Sequence, residues 1–248
     1  MLGIMGAMHE EVAALAQALS VPISTTIASR KFLSGNLFGQ PSVVVDSRWG
    51  KVAAATTATH LITTFKVDAI VFTGVAGAVD PTLQVGDIVV ARNLYQHDLD
   101  ASPLFKPLEI PSLGVSAIAA DKELSQWLVS AANRFVHTWM RDDVASGARA
   151  AFGIQTPRII SGDVVTGDRF IDSAEEVAAL RARVPSAACV EMEGAAVAQV
   201  CYEHNVPFGV VRTISDTADH TAGADFRRFV ENVAGRYTLG LMRSFILG

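Results

Sequence analysis

The sequence predicts an α/β fold in which buried strands and amphipathic helices alternate along one domain. Short, nearly all-apolar runs such as residues 208–211 are typical of strands that are buried on both faces. Stretches with helical spacing of apolar residues, such as 9–19 and 52–64, separate these runs. The 248-residue chain has no internal repeat and no linker. The alternation therefore predicts a single doubly wound domain spanning residues 1–248.

Composition and charge exclude several classes of protein. Apolar residues make up 50% of the chain and charged residues 18%, which argues against disorder. The formal net charge is -5 without a basic cluster, so we expect no nucleic-acid partner. Neither a membrane-spanning run nor a secretory signal is predicted. Cys189 and Cys201 are interpreted as free buried thiols, which favours a cytoplasmic location.

The first third of the chain begins with an apolar strand at residues 2–8, which runs into a turn. A helix follows over residues 9–19, with Glu10 and Glu11 in its first turn. Acidic residues there interact favourably with the helix dipole, and a carboxylate just past a strand end also faces ligand pockets. Two strands at 31–37 and 42–45 come next, joined by a Gly-Gln-Pro turn.

An Ala/Thr-rich helix over residues 52–64 and a buried strand over 68–72 lead to a predicted loop of small residues at 73–78. Glycine permits close backbone approach to a ligand, but neither a dinucleotide fingerprint nor a phosphate-binding Walker loop is present. A strand is predicted over 86–91. Residues 95–111 contain three prolines and predict a long irregular loop of the kind that forms contact surfaces.

The second half of the chain continues the alternation. Residues 137–156 have no clear period and are assigned no element, and Ser173 is predicted to cap a helix. The elements predicted here are helices at 116–136, 195–204 and 225–247 and strands at 158–165, 187–190 and 208–211.

Polar residues gather where two of these strands end. Arg212, Ser215 and Asp216 follow the strand that begins at Phe208, and Glu191 and Glu193 follow the strand that begins at Ala187. Ligands of open α/β sheets bind at the carboxyl ends of strands. An aspartate beside a hydroxyl there is a candidate proton donor, although Asp216 could instead close a turn or cap a helix.

Four stretches together resemble one family. They are Gly6–Glu11, Gly50–Ala55, Val190–Glu193 and Ile214–Asp216, in that order. The chain resembles the bacterial 5′-methylthioadenosine/S-adenosylhomocysteine nucleosidases of the purine nucleoside phosphorylase superfamily, from residue 2 to about residue 246. The resemblance implies a three-layer sandwich with a central mixed β-sheet flanked by helices. It is weakest between residues 100 and 157.

The resemblance also implies catalytic roles. Asp216 is expected to protonate the adenine ring at N7, and Ser215 to position that carboxyl group. Glu11 is expected to be the general base that activates water. Glu191 and Arg212 are expected to order the water and the neighbouring carboxylates. This division of labour follows the two-carboxylate logic of glycoside hydrolysis, with water as the nucleophile.

Substrate-binding roles follow from the same resemblance. Glu193 is expected to bind the ribose hydroxyls, Met192 to pack on the sugar, and Phe170 to stack on the base. The backbone of Ile171 is expected to read the adenine edge. The pocket for the alkylthio group is expected to contain Met8 and Phe226.

Two residues depart from the family pattern and bear on substrate choice. Val75 stands where related nucleosidases carry Ser, and Trp49 stands where a smaller aliphatic residue is usual. The first change affects how water is held, and the second affects the size of the 5′ substituent. The family requires no cofactor and no metal, and its members are homodimers. The loop around Leu104 and Phe105 falls in the region of the dimer contact.

Hydrolysis of the N-glycosidic bond of 5′-methylthioadenosine, S-adenosylhomocysteine and 5′-deoxyadenosine is the resulting hypothesis. Three alternatives remain: a phosphorylase of the same superfamily, a hydrolase of a related nucleoside such as futalosine, and a non-catalytic nucleoside-binding protein. A phosphorylase needs a cationic, amide-rich phosphate pocket, whereas Glu10 and Glu11 stand where phosphate would bind. A binding protein would not need Glu11 or Asp216.

Overall fold

The computed structural model describes residues 1–218 and 222–248, and a ten-stranded mixed sheet forms the centre of this part of the chain. The strands are β1 (Leu2–Gly6), β2 (Ser20–Ile27), β3 (Arg30–Leu37), β4 (Gln40–Asp46), β5 (Ala69–Ala78), β6 (Ile88–Gln96), β7 (Ile118–Ala119), β8 (Ile159–Thr166), β9 (Ala187–Glu191) and β10 (Phe208–Asp216).

Helices cover the sheet. They are α1 (His9–Ala18), α2 (Lys51–Thr63), α3 (Lys122–Arg134), α4 (Met140–Asp143), α5 (Ser146–Ala151), α6 (Ala174–Arg183), α7 (Gly194–His204), α8 (Ala222–Phe229) and α9 (Gly235–Leu247). Wider π-helical turns at Phe135–Trp139 and Val230–Ala234 follow α3 and α8. Within the described ranges, no helix has both the length and the apolar character needed to cross a membrane.

The sheet consists of an open wing and a closed ring of strands. In the wing, β1 pairs in parallel with β4 and β5, and β2, β3 and β4 form an antiparallel meander. In the ring, β5 pairs with β10, β10 with β6, β6 with β8, β8 with β9, and β9 with β5. This closure brings the ends of β1, β5, β9 and β10 to one place, where the candidate site lies.

The central part of the sheet is buried on both faces. In β4, successive side chains pack into different apolar clusters on opposite faces of the sheet. Val43 and Val45 pack in one apolar cluster, and Val44 between them packs in the other. The first cluster includes Ala54 and Ala58 of α2 and Val197 of α7; the second includes Leu15 of α1, Leu128 of α3 and Tyr237 of α9. Helices on both faces are the reason all residues of a central strand such as β1 are buried. The predicted central mixed sheet flanked by helices is confirmed.

Two predicted strand ends were wrong, and both lie at the site. Residues 73–78, predicted as a loop, belong to β5, and the strand predicted over 208–211 continues to Asp216 as β10. The two segments pair in parallel, with Thr73 beside Val211 and Ala76 beside Ile214. The prediction ended the second strand where its residues become polar, at Arg212. These polar side chains lie inside the closed ring rather than in solvent, so the strand continues through them.

Helix and edge-strand predictions also needed correction. The helix predicted over 116–136 begins at Lys122, because the Asp121 side chain accepts a hydrogen bond from Leu124 N at 2.8 Å and caps it. The last helix begins at Ala222 rather than at 225 and contains a π turn. Residues 137–156, to which no element was assigned, contain the end of a π-helical turn and the short helices α4 and α5. Strand β2 was missed because it is an exposed edge without apolar alternation.

Candidate active site

A cavity with about 540 Å³ of empty space, part of it open to solvent, lies where the strand ends meet. Apart from Arg212, which lies behind the wall, the predicted site residues all line it: Met8, Glu11, Trp49, Val75, Phe170, Ile171, Glu191, Met192, Glu193, Ser215, Asp216 and Phe226. Ala7, Ala76, Gly77, Arg169 and Val190 complete the lining. The fold therefore brings together side chains from three of the four stretches that carried the family resemblance, and the fourth, Gly50–Ala55, contributes the Gly50 amide, which donates to Glu193.

Glu11 lies in the first turn of α1 and is almost completely buried. One carboxylate oxygen accepts hydrogen bonds from Ala7 N at 2.7 Å and Met8 N at 2.9 Å, and the other accepts one from Val75 N at 3.0 Å. A Cβ at Gly74 would lie 2.5 Å from the Glu11 carboxylate, so glycine is required there for the close approach. Burial raises the pKa of Glu11, although Arg212 and the three amide donors oppose this.

Glu191 is the last residue of β9, and both oxygens of its carboxylate accept hydrogen bonds from other groups of the protein. Its carboxylate accepts from Arg212 Nη2 at 2.6 Å, from Glu193 N at 3.1 Å, from Gly194 N at 2.8 Å and from the Thr166 hydroxyl. These amides form the start of α7, where the helix dipole favours a negative charge. Glu191 therefore fixes Arg212 against the beginning of α7.

Arg212 is the buried cation of the site. Its guanidinium lies 4.0 Å from the centre of the Phe72 ring as well as beside Glu191. Its charge lowers the pKa of Glu11 and of Glu193 against the effect of burial. A buried ion pair of this kind is expensive to break, because removing one partner leaves an uncompensated charge. Arg212 therefore acts from behind the lining by favouring ionised carboxylates.

Ser215 and Asp216 are consecutive residues of one strand, yet both face the cavity. The register between β10 and β5 shifts between Ile214 and Asp216, and such an irregularity re-aims side chains that would otherwise point to opposite faces. The Ser215 hydroxyl donates to Asp216 Oδ2 at 2.7 Å, and Ala218 N donates to Asp216 Oδ1 at 3.0 Å. Both side chains are buried. The Asp216 carboxyl group is thus held in one orientation.

Glu193 directly precedes α7 and accepts a hydrogen bond from Gly50 N at 2.7 Å. Gly50 has φ of +89°, a conformation that favours glycine, and it stands directly before α2. Burial, together with the negative charge of Glu191, raises the pKa of Glu193 to about 8, while Gly50 N–H and Arg212 act in the opposite direction. The cavity therefore contains a second carboxylate that is protonated in part near neutral pH.

Aromatic rings form the mouth of the cavity. The Phe226 ring makes edge-to-face contacts with Phe170 at 5.5 Å and Trp49 at 5.8 Å between ring centres. Trp49 remains 52% exposed. Beyond it lies an open outer cavity of about 1150 Å³ that shares Met8 and these three rings with the inner one. The mouth can therefore hold an apolar group attached to a ligand in the inner cavity.

Sequence reasoning missed several contributors because they act through the backbone. Ala7 N and Val75 N hold Glu11, and Gly50 N holds Glu193. Val75 binds Glu11 through its amide, so this contact does not depend on which side chain stands at position 75. Thr166, whose hydroxyl bonds to Glu191, is the last residue of β8, and its partner is 25 residues away in the chain.

The described ranges contain no group of three or more His, Cys, Asp or Glu side chains able to hold a metal ion. His97 and Asp98 are neighbours in the chain, and both are of residue types that can ligate a metal. In the structure, Asp98 Oδ1 accepts instead from Lys51 Nζ at 2.7 Å.

Comparison with known proteins places the chain in a family. The model of the phosphorylase superfamily matches residues 1–246. A 5′-methylthioadenosine/S-adenosylhomocysteine nucleosidase of Staphylococcus aureus is 36% identical over 237 residues, covering 94% of each chain.

Solved structures agree with this assignment. The same nucleosidase from Neisseria meningitidis, in complex with methylthio-immucillin-A, superposes with a TM-score of 0.84 at 29% identity, covering 99% of this chain and 97% of that one. Futalosine hydrolase of Helicobacter pylori superposes with a TM-score of 0.82 at 29% identity, covering 99% and 96%. With its cavity, its carboxylates and these relatives together, the chain belongs to the 5′-methylthioadenosine/S-adenosylhomocysteine nucleosidase family of the phosphorylase superfamily.

Proposed function

We propose that this protein hydrolyses the N-glycosidic bond of 5′-methylthioadenosine and S-adenosylhomocysteine, and also of 5′-deoxyadenosine, releasing adenine. The observation that carries the proposal is the convergence of Glu11, Glu193 and Asp216, all buried, on one cavity with an aromatic mouth. The names of the relatives support the first two of these substrates.

Asp216 is the acid in this mechanism. Breaking the bond to the sugar places negative charge on the departing adenine, and a carboxylic acid beside N7 neutralises that charge. Ser215 and the Ala218 amide occupy one lone pair on each oxygen of the Asp216 carboxyl group, so its position is fixed before the substrate enters. Phe170 provides an aromatic face against which the base stacks.

Glu11 is the base. The sugar becomes positively charged in the transition state, and a water molecule attacks it as Glu11 accepts the proton. The raised pKa of Glu11 makes its carboxylate a better proton acceptor than an exposed glutamate. Glu193 accepts hydrogen bonds from the ribose hydroxyls, and Met192 packs on the sugar. The 5′ substituent extends toward Met8, Phe226 and Trp49.

The cavity favours water over phosphate as the nucleophile. Glu11, Glu191 and Glu193 are acidic groups on the sugar side, and Arg212 beside them is already paired with Glu191. A phosphate dianion would be repelled by such a set, whereas phosphoryl sites are built from free cations and amides.

The first experiment measures adenine release from 5′-methylthioadenosine in phosphate-free buffer and again with phosphate. We expect the same rate in both and free methylthioribose as the product. Strict phosphate dependence with formation of the 1-phosphate would assign a phosphorylase instead. Futalosine belongs in the same assay, because a futalosine hydrolase is among the structural neighbours. Preferential cleavage of futalosine would contradict the proposed substrate.

The protein is also proposed to act as a homodimer in which the loop around Leu104 and Phe105 contacts the partner. Leu104 is 84% exposed, although it is a large apolar side chain. We expect light scattering to give twice the 26.3 kDa of one chain. Replacing Leu104 with Asp should shift the protein toward monomers. A monomeric wild-type protein would refute this arrangement.

A further inference from the structure

Three charged residues outside the cavity join the loops that carry its ligand-facing groups. Lys51 begins α2, Asp98 follows β6, and Asp168 follows β8. Lys51 Nζ donates to Asp98 Oδ1 at 2.7 Å, and Asp98 Oδ2 accepts from Asp168 N at 2.9 Å. Asp168 Oδ1 in turn accepts from Lys51 N at 2.8 Å. We call these three residues the loop clamp.

The loop clamp also caps α2. Gly50 has no side chain with which to cap that helix, and the Asp168 carboxylate supplies the missing acceptor from a distant part of the chain. The neighbouring amide, Gly50 N, points at Glu193. Lys51 N and Gly50 N are consecutive donors, so fixing one of them on Asp168 fixes the direction of the other.

The same contacts hold the mouth of the cavity. Trp49 lies directly before Gly50, and Phe170 lies two residues after Asp168. The Asp168 loop is also packed tightly against the end of β6, because a Cβ at Gly167 would lie 2.3 Å from Nε2 of His97. The loop clamp therefore ties together three chain segments that reach the site from different elements.

We propose that Asp98 and Asp168 are positioning residues that hold the Gly50 amide on Glu193 and so favour the ionised form of the ribose-binding carboxylate and fix its orientation. This inference rests on the proposed function, in which Glu193 binds the ribose hydroxyls. The charge of Asp98 suits it to this role. Burial raises the pKa of Asp98, but Lys51 and the Asp168 amide outweigh burial and keep its pKa below the ordinary value. It is an anion at any pH at which the enzyme is assayed.

Loss of the loop clamp is expected to change the protonation of Glu193. Neighbouring groups act on its carboxylate in both directions: Glu191 and Glu11 favour protonation, and Gly50 N–H and Arg212 oppose it. Loss of the Gly50 donor leaves burial and the two acidic neighbours less opposed, so the pKa of Glu193 rises above its value of about 8. Ribose hydroxyls donate best to an ionised carboxylate. The pH above which nucleosides bind tightly should rise accordingly.

Asp98→Asn tests this with little change in shape. The carboxylate of Asp98 accepts from two donors, and an amide has one acceptor oxygen, so either Lys51 Nζ or Asp168 N loses its partner. Asp100→Asn is the matched control. Asp100 also accepts from two donors, Ser102 N and Arg183 Nη2, but it makes no contact with α2 in the described structure.

The measurement is the dissociation constant, by calorimetry across pH, of the 7-deaza analogue of 5′-methylthioadenosine, which has no N7 to protonate and is not cleaved. We expect Asp98→Asn to weaken binding on the order of tenfold near pH 7 and to displace its pH dependence to higher pH. Asp100→Asn should match the wild type. Weaker binding without a displaced pH dependence, or no change at all, would overturn the positioning role. Failure of the wild type to bind the analogue would instead refute the proposed function.

Discussion

Asp216→Asn is expected to lower kcat for adenine release by ~100- to 10,000-fold while leaving nucleoside binding measurable. Asparagine has nearly the same shape, and its amide oxygen can still accept from Ala218 N, which donates to Asp216 at 3.0 Å. Its amide N–H can donate a hydrogen bond to the base but cannot transfer a proton. Steady-state kinetics with 5′-methylthioadenosine, together with a binding isotherm, separate the two effects.

Ser215→Ala is the matched control for the acid. The Ser215 hydroxyl orients the Asp216 carboxyl group at 2.7 Å and has no proton-transfer role of its own. We expect a smaller loss of kcat in this variant than in Asp216→Asn. Near-wild-type turnover by Asp216→Asn would remove that residue from the acid role, and equal losses in the two variants would mean that orientation dominates.

Glu11→Gln is expected to reduce kcat by ~100- to 10,000-fold, because an amide cannot accept the proton from the attacking water. A stability cost is also expected. The Glu11 carboxylate accepts from three amides, whereas glutamine has one acceptor oxygen, so at least one buried N–H loses its partner at a cost of ~1–3 kcal/mol. Thermal unfolding measures this cost separately from the kinetics.

The pH dependence of kcat identifies the base. Burial raises the pKa of Glu11, so a larger fraction of it is protonated and inactive at a given pH than for an exposed glutamate. In the wild type, kcat at saturating substrate should therefore rise with pH as Glu11 loses its proton. In Glu11→Gln, kcat should no longer increase with pH in this way. Glu10→Gln, one residue earlier and exposed, should keep both the rate and its pH dependence with 5′-methylthioadenosine. An unchanged profile in Glu11→Gln would assign the base to another group.

Residue types along the chain were enough to predict an α/β fold, and the resemblance to a known family predicted which residues lie at the candidate site. Apolar runs without alternation required a sheet covered on both faces, since such strands are stable only when neither face meets water. Three of the four stretches that carried the resemblance contain carboxylates, and the structure brings side chains of these three together in the lining of one cavity. Buried strands and clusters of acidic residues can be predicted in this way because the type of a residue determines its charge and its tendency to be buried.

The way in which the site is held depends on the tertiary structure. Residues 73–78 and 212–216 have the composition of loops, but they form strands because β5 and β10 pair with each other in the closed ring. The register shift near Asp216 lets two consecutive side chains face the same cavity. The Gly50 amide meets Glu193 across 143 residues of chain, and Asp168 caps α2 across 117. Backbone donors have no residue-type signature, and such long-range pairings depend on the packing of the whole chain. For this reason the carboxylates could be predicted from the sequence, whereas their partners and their protonation are set by the fold.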